Sequence, residues 1–75
     1  METPLRKMRM EKKLTMSEVA LAVHCDVGNL SRIERGVQVT SLDMAEKLSK
    51  FFGGLVTEMQ ILYPHRYMDH KNTAA

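Results

Sequence analysis

At 75 residues and one cysteine, the chain has room for a single domain, and for neither an internal disulfide nor a spaced Cys/His metal set. Hydrophobic residues make up 44% of it, enough for a packed core, but their runs are far too short to cross a membrane. A net charge of +2 does not by itself point to nucleic acid, so the placement of charge has to decide.

So small a core is marginal, and with disulfides and metals set aside, self-association is its expected support. Residues 1–13 are rich in charge and hold no apolar signal core, Met1 reads as the natural start, and the lone thiol of Cys25 suits a reducing compartment. A cytoplasmic location is therefore expected.

Helical spacing dominates, and no stretch alternates well enough for a sheet. Thr3 can cap a first helix with Pro4 at its first position, where a missing N–H costs nothing. Leu5 and Met8 share one face of it, and Arg6, Lys7, Arg9, Lys12 and Lys13 outweigh Glu11. Thr15 or Met16 begins a second helix, with Val19, Ala20 and Val23 inward. His24-Cys25-Asp26 interrupts it, and Asp26 is a good cap for a third helix over 27–35, with Leu30 and Ile33 inward. Gly36 closes that helix by tolerating positive φ. After a connector, Thr40 with Asp43, or Ser41 alone, starts a fourth helix whose apolar face is Leu42, Ala45, Leu48 and Phe51 or Phe52. Gly53-Gly54 breaks it. Thr57 with Gln60 has the spacing of a capping box, and Val56 with Ile61 that of a hydrophobic staple, so a fifth helix covers about 56–62 until Pro64. The domain is expected to span 1–64, with 65–75 a flexible tail.

Two helices of under ten residues joined by a tight turn bury little each. They are useful packed at a steep angle, with the second exposing one face. Ala20 supplies the small residue at the crossing, and Val19, Val23, Cys25, Leu30 and Ile33 form the inward set. That is the spacing of a helix-turn-helix at 16–35, whose second helix enters the major groove of DNA.

The stretch Leu14-Thr15-Met16-Ser17-Glu18-Val19-Ala20, with Leu30-Ser31-Arg32-Ile33-Glu34-Arg35-Gly36 and then Ser41-Leu42, resembles the phage-repressor and Cro-like (XRE) helix-turn-helix family over about residues 5–62. The resemblance implies an all-α, compact five-helix bundle of the lambda-repressor type. It also implies that Val27, Gly28, Asn29, Arg32 and Gln38 face base edges of a double-stranded operator. Phosphate contacts would come from Met16, Ser17, Ser31 and Arg35. Met16 stands where the family usually has Gln, so only its backbone N–H is suited to that role. Arg9 and Glu34 match a buried ion pair of similar proteins. Lys13 and His24 stand where relatives carry glycine at positive φ. Valine at 27 offers apolar contact alone and Gly28 no side chain, which leaves hydrogen-bond readout to Asn29, Arg32 and Gln38.

Plainer readings stand beside these. Arg32 and Arg9 could be solvated helix residues, Arg35 a helix C-terminal charge, and Met1, Met8, Met10 and Met16 gap-filling core. His24, Cys25 and Asp26 are adjacent on a turn and point apart, so they make no nucleophile–base pair. Cys25 takes an inward apolar position, and His65 and His70 lack a scaffold for a metal. No catalytic set, metal or cofactor is expected.

A two-fold homodimer is expected, because one recognition helix reads too few base pairs to single out a site. Phe51, Phe52, Leu55, Val56, Met59, Leu62 and Tyr63 are more apolar residues than one short helix can bury, and the surplus is the expected dimer surface. Residues 63–69 could cross to the partner. The rival reading is an antitoxin-like interaction module that binds DNA to autoregulate, so polymerase or a toxin-like protein is a possible partner.

Overall fold

The computed structural model describes residues 3–67, which form five α-helices and no strand. The helices are α1 (Pro4–Glu11), α2 (Met16–Val23), α3 (Val27–Arg35), α4 (Leu42–Phe51) and α5 (Glu58–Leu62), followed by a 3₁₀ turn at Pro64–Tyr67.

None of these helices is long enough to persist alone in water, so their ends and their packing must hold them. Every one begins with a side-chain cap. Thr3, Asp26 and Ser41 accept from the N–H of Arg6, Asn29 and Met44. Thr15 with Glu18 and Thr57 with Gln60 form reciprocal capping boxes. Each cap contributes about 1 kcal/mol.

The turns that set the helix directions use left-handed backbone. Lys13 has φ 57° and His24 φ 60°. At the second turn the Cys25 N–H reaches back to Ala20 O at 2.9 Å, which closes α2 and lets α3 start at once. A left-handed non-glycine residue costs about 1–2 kcal/mol, a cost carried here by the fixed α2–α3 angle. Gly36 ends α3 in the same conformation, at φ 76°, without that cost.

The core is Leu5 from α1, Val19, Ala20 and Val23 from α2, Leu30 and Ile33 from α3, and Ala45 and Leu48 from α4. Phe52, Val56 and Ile61 complete it. Cys25 packs against its edge, half-buried. In space α2 lies on α3 and α4, α4 on α5, and α1 on α3, α5 and the 3₁₀ turn.

Several details depart from the sequence expectations. Leu42, expected inward, is 59% exposed. Ser41 is the cap, so Leu42 is the first helical residue, at the open end of α4, and the buried row begins one turn further on with Ala45 and Leu48. Phe52 and Val56, expected on a dimer surface, are 4% and 1% exposed and belong to the monomer core. Gly53 and Gly54, both at positive φ, turn the chain so that Val56 returns to the core while Leu55 stays out. Thr57 caps α5, so that helix starts at Glu58 and Val56 is the staple residue before it. Pro64 does not simply stop the chain. It is buried and opens the 3₁₀ turn Pro64–Tyr67. His70 and the part of the expected arm beyond Tyr67 lie outside the described residues.

Candidate nucleic-acid interface

Helix α3 has two faces. Leu30, Ile33 and Glu34 are buried, whereas Val27, Gly28, Arg32 and Arg35 are exposed, with Asn29 and Ser31 half-buried at the margin. The exposed residues recur at four and then three positions, one stripe of a 3.6-residue period. The stripe begins at a helix N-terminus already fixed by the Asp26 cap.

Three of the polar residues on or near it are joined. Arg32 Nε donates to Gln38 Oε1 at 2.7 Å, and Gln38 Nε2 donates to Asn29 Oδ1. Gln38 lies in the segment after α3, so the loop is tied to the helix through its side chain. The arginine side chain passes close to Gly28. A Cβ at that position would lie 3.7 Å from Arg32 Nη1 and 3.3 Å from the capping oxygen of Asp26.

At the start of α2, Ser17 is exposed, and Met16 is half-buried with its side chain packed on the core. The Met16 thioether therefore has no reach to a phosphate. The first N–H groups of a helix take no partner from within it and are suited to an anion.

Behind the stripe, Glu34 is fully buried, and its Oε2 accepts from Arg9 Nε at 2.6 Å. Arg9 Nη1 also donates to Leu14 O at 2.8 Å, and Arg9 O accepts from Leu14 N–H. Arg9 thus pins the α1–α2 turn with both backbone and side chain while it neutralises a charge on α3. Sequence reasoning missed Thr3 in this arrangement. Besides capping α1, its buried hydroxyl donates to the carbonyl oxygen of Glu34 at 2.5 Å. Only its capping role leaves a local mark in the sequence, because the second partner is 31 residues away.

His24 is exposed, and the Asp26 carboxylate is engaged in its cap. Burial, and then the neighbouring Asp26 charge, push the Cys25 thiol above its ordinary pKa, so it keeps its proton. A nucleophile would need the opposite shift. Among the described residues, no three His, Cys, Asp or Glu side chains are grouped to hold a metal ion, and no helix is long and apolar enough to cross a membrane.

Around the end of α4 and along α5, Phe51, Leu55, Met59 and Tyr63 are exposed and Leu62 is half-buried. Phe51 packs edge-on to Phe52, with ring centroids 4.9 Å apart, and Arg66 stacks over the Tyr63 ring.

A search of curated proteins and a search of solved structures each returned no match. A family model described as helix-turn-helix matches residues 5–58, which takes in α1 to α4 and the whole exposed stripe. With that match over most of its length, the chain belongs to the Cro-like (XRE) helix-turn-helix family of DNA-binding transcription regulators.

Proposed function

We propose that the protein is a sequence-specific transcription regulator that binds a two-fold operator as a homodimer, in the manner of phage or mobile-element repressors, and acts in the cytoplasm. The observation that carries this reading is the exposed stripe of α3, whose polar residues are held in place by side-chain bonds to Gln38. Rigid placement matters, because a base contact discriminates only when donor and acceptor meet in one geometry.

In this reading α3 lies in the major groove. Val27 packs on a thymine methyl group, Gly28 allows close approach, and Asn29, Arg32 and Gln38 face base edges. Arg35, Ser31 and Ser17 contact phosphates together with the Met16 N–H. Two such helices in successive major grooves would be about 34–36 Å apart. The dimer contact uses Phe51, Leu55, Met59 and Tyr63, with Leu62 at its edge, now without Phe52 and Val56, which the core has taken.

Selection from random duplex DNA tests binding, symmetry and half-site spacing together. Arg32→Ala should lose roughly 1–3 kcal/mol on the selected site and little on scrambled DNA. Equal losses on both would make Arg32 a phosphate contact. Sedimentation at micromolar concentration, with and without DNA, reads the dimer, and a monomer on a single unrepeated half-site would rule it out.

A further inference from the structure

The bond between Arg32 and Gln38 has a consequence for which bases α3 can read. A guanidinium has five N–H donors and no acceptor. The Gln38 atom 2.7 Å from Arg32 Nε must therefore be the oxygen. That orientation turns Gln38 Nε2, a donor, toward Asn29, where only Oδ1 can accept it. Oδ1 of Asn29 is thereby turned toward Gln38, and the amide group turned away from it is Nδ2, again a donor. Polarity is thus set by Arg32 and relayed by Gln38. Among the described residues no hydrogen bond takes up the terminal nitrogens of Arg32 or Nδ2 of Asn29. The guanidinium lies back toward Gly28, near the exposed N-terminal end of α3, with Nη1 3.7 Å from where a Cβ of residue 28 would sit.

We propose that Gln38 sets the specificity of this interface by fixing Asn29 and Arg32 as a reading face of donors only. Such a face selects base pairs that offer acceptors in the major groove, guanine through O6 and N7 or thymine through O4. It disfavours cytosine, which offers only the N4 donor, and adenine, whose two-point recognition by asparagine needs Oδ1 to accept from N6. In that role Gln38 is a positioning residue, whether or not it also touches a base. The inference rests on the reading of α3 as the DNA-reading helix.

The test is selection from random duplex DNA with the full chain, its Asn29→Ala variant, Gln38→Glu and Gln38→Ala, alongside melting temperatures and low-salt affinity for a scrambled duplex. Asn29→Ala identifies the base position that Asn29 reads, where preference flattens. At that position the wild type should select guanine or thymine. In Gln38→Glu a carboxylate faces both neighbours and can only accept, so Asn29 must turn its amide to donate inward and present Oδ1 outward. Preference there should move to adenine or cytosine by about tenfold, with melting temperature unchanged. In Gln38→Ala the amide is no longer held and the preference should broaden. A merely structural role for Gln38 would lower the melting temperature and leave base preference alone, which overturns the proposal. So would adenine or cytosine selected by the wild type, or a Gln38→Glu preference identical to wild type. Failure of the wild type to bind any duplex at low salt would instead overturn the DNA-binding reading itself.

Discussion

Arg9→Met strands the Glu34 carboxylate, and the structure sets the size of the effect. Glu34 is fully buried, the Arg9 side chain is 11% exposed, and the two meet at 2.6 Å. Removing one member of such a pair leaves a buried charge uncompensated and costs about 3–5 kcal/mol. A chain of this length has only about 4–11 kcal/mol of total stability, so the variant should be near its unfolding threshold, with a melting temperature lower by roughly 15–30 °C. Arg9→Met also loses the bond to Leu14 O, whereas Glu34→Leu leaves that bond in place. The two single variants therefore separate the turn contribution from the pair. Removing both charges is different again. Glu34 Oε1 is buried without a hydrogen-bond partner among the described residues, so Arg9→Met with Glu34→Leu eliminates an unsatisfied oxygen along with the desolvated pair. The double variant should be more stable than Arg9→Met alone. Urea and thermal unfolding of the four proteins, followed by far-ultraviolet circular dichroism, closes the cycle. Losses under about 1 kcal/mol for either single variant, or losses that simply add, would refute the reasoning.

His24→Gly relieves about 1–2 kcal/mol of left-handed strain but adds about 0.4–1 kcal/mol of unfolded-chain entropy, so thermal unfolding should show it neutral or stabilised by up to about 1.5 kcal/mol. Gly36→Ala runs the other way. It places a Cβ in left-handed backbone at 3.4 Å from Thr3 Cγ2 and the His65 ring, and should lose about 1–2 kcal/mol. The Cys25 thiol, raised by burial, should alkylate more slowly at pH 8 in the folded protein than in denaturant. Because its folded pKa lies above the unfolded one, its contribution to stability is complete below the unfolded value and is lost as pH climbs through the folded value. Cys25→Ala should remove that alkaline decline from the stability–pH curve.

What could be read from the sequence was local. Caps at Thr3, Asp26 and Thr57 depend on residues three positions away and open α1, α3 and α5, while the α3 stop follows from glycine's tolerance of positive φ at Gly36. The positive φ at Lys13 and His24 came through the family resemblance, since neither residue type demands it. The end of α4 was not legible in detail. Neighbouring helix residues are 100° apart, so whether Phe51 or Phe52 turns inward depends on where the helix stops and how Gly53 and Gly54 redirect the chain. For the same reason two of the apolar residues that looked surplus were needed in the core. At the interface, periodicity placed Arg32 on the outward stripe. The Asn29–Gln38–Arg32 network left no pattern, because it joins a helix to an aperiodic loop, and only the path of that loop brings Gln38 to both partners.

The charge of the chain explains why rigidity at the interface matters. DNA affinity without sequence preference grows with the number of phosphates a protein neutralises. A protein of net charge +2 has little of that to draw on, and α3 exposes only Arg32 and Arg35 as cations. Arg32 is further constrained by its bond to Gln38, which turns a general phosphate cation into a fixed donor. The balance therefore shifts from non-specific attraction to geometric fit, and a geometric fit is only as good as its support. Glu34 lies on the opposite face of α3 from Arg32 and is held by Arg9 from one side and by Thr3 through its carbonyl from another. The partners come from α1 and its cap, which make no base contact in the proposed reading. The buried pair thus fixes the pose of α3, and Gln38 fixes the side chains upon it.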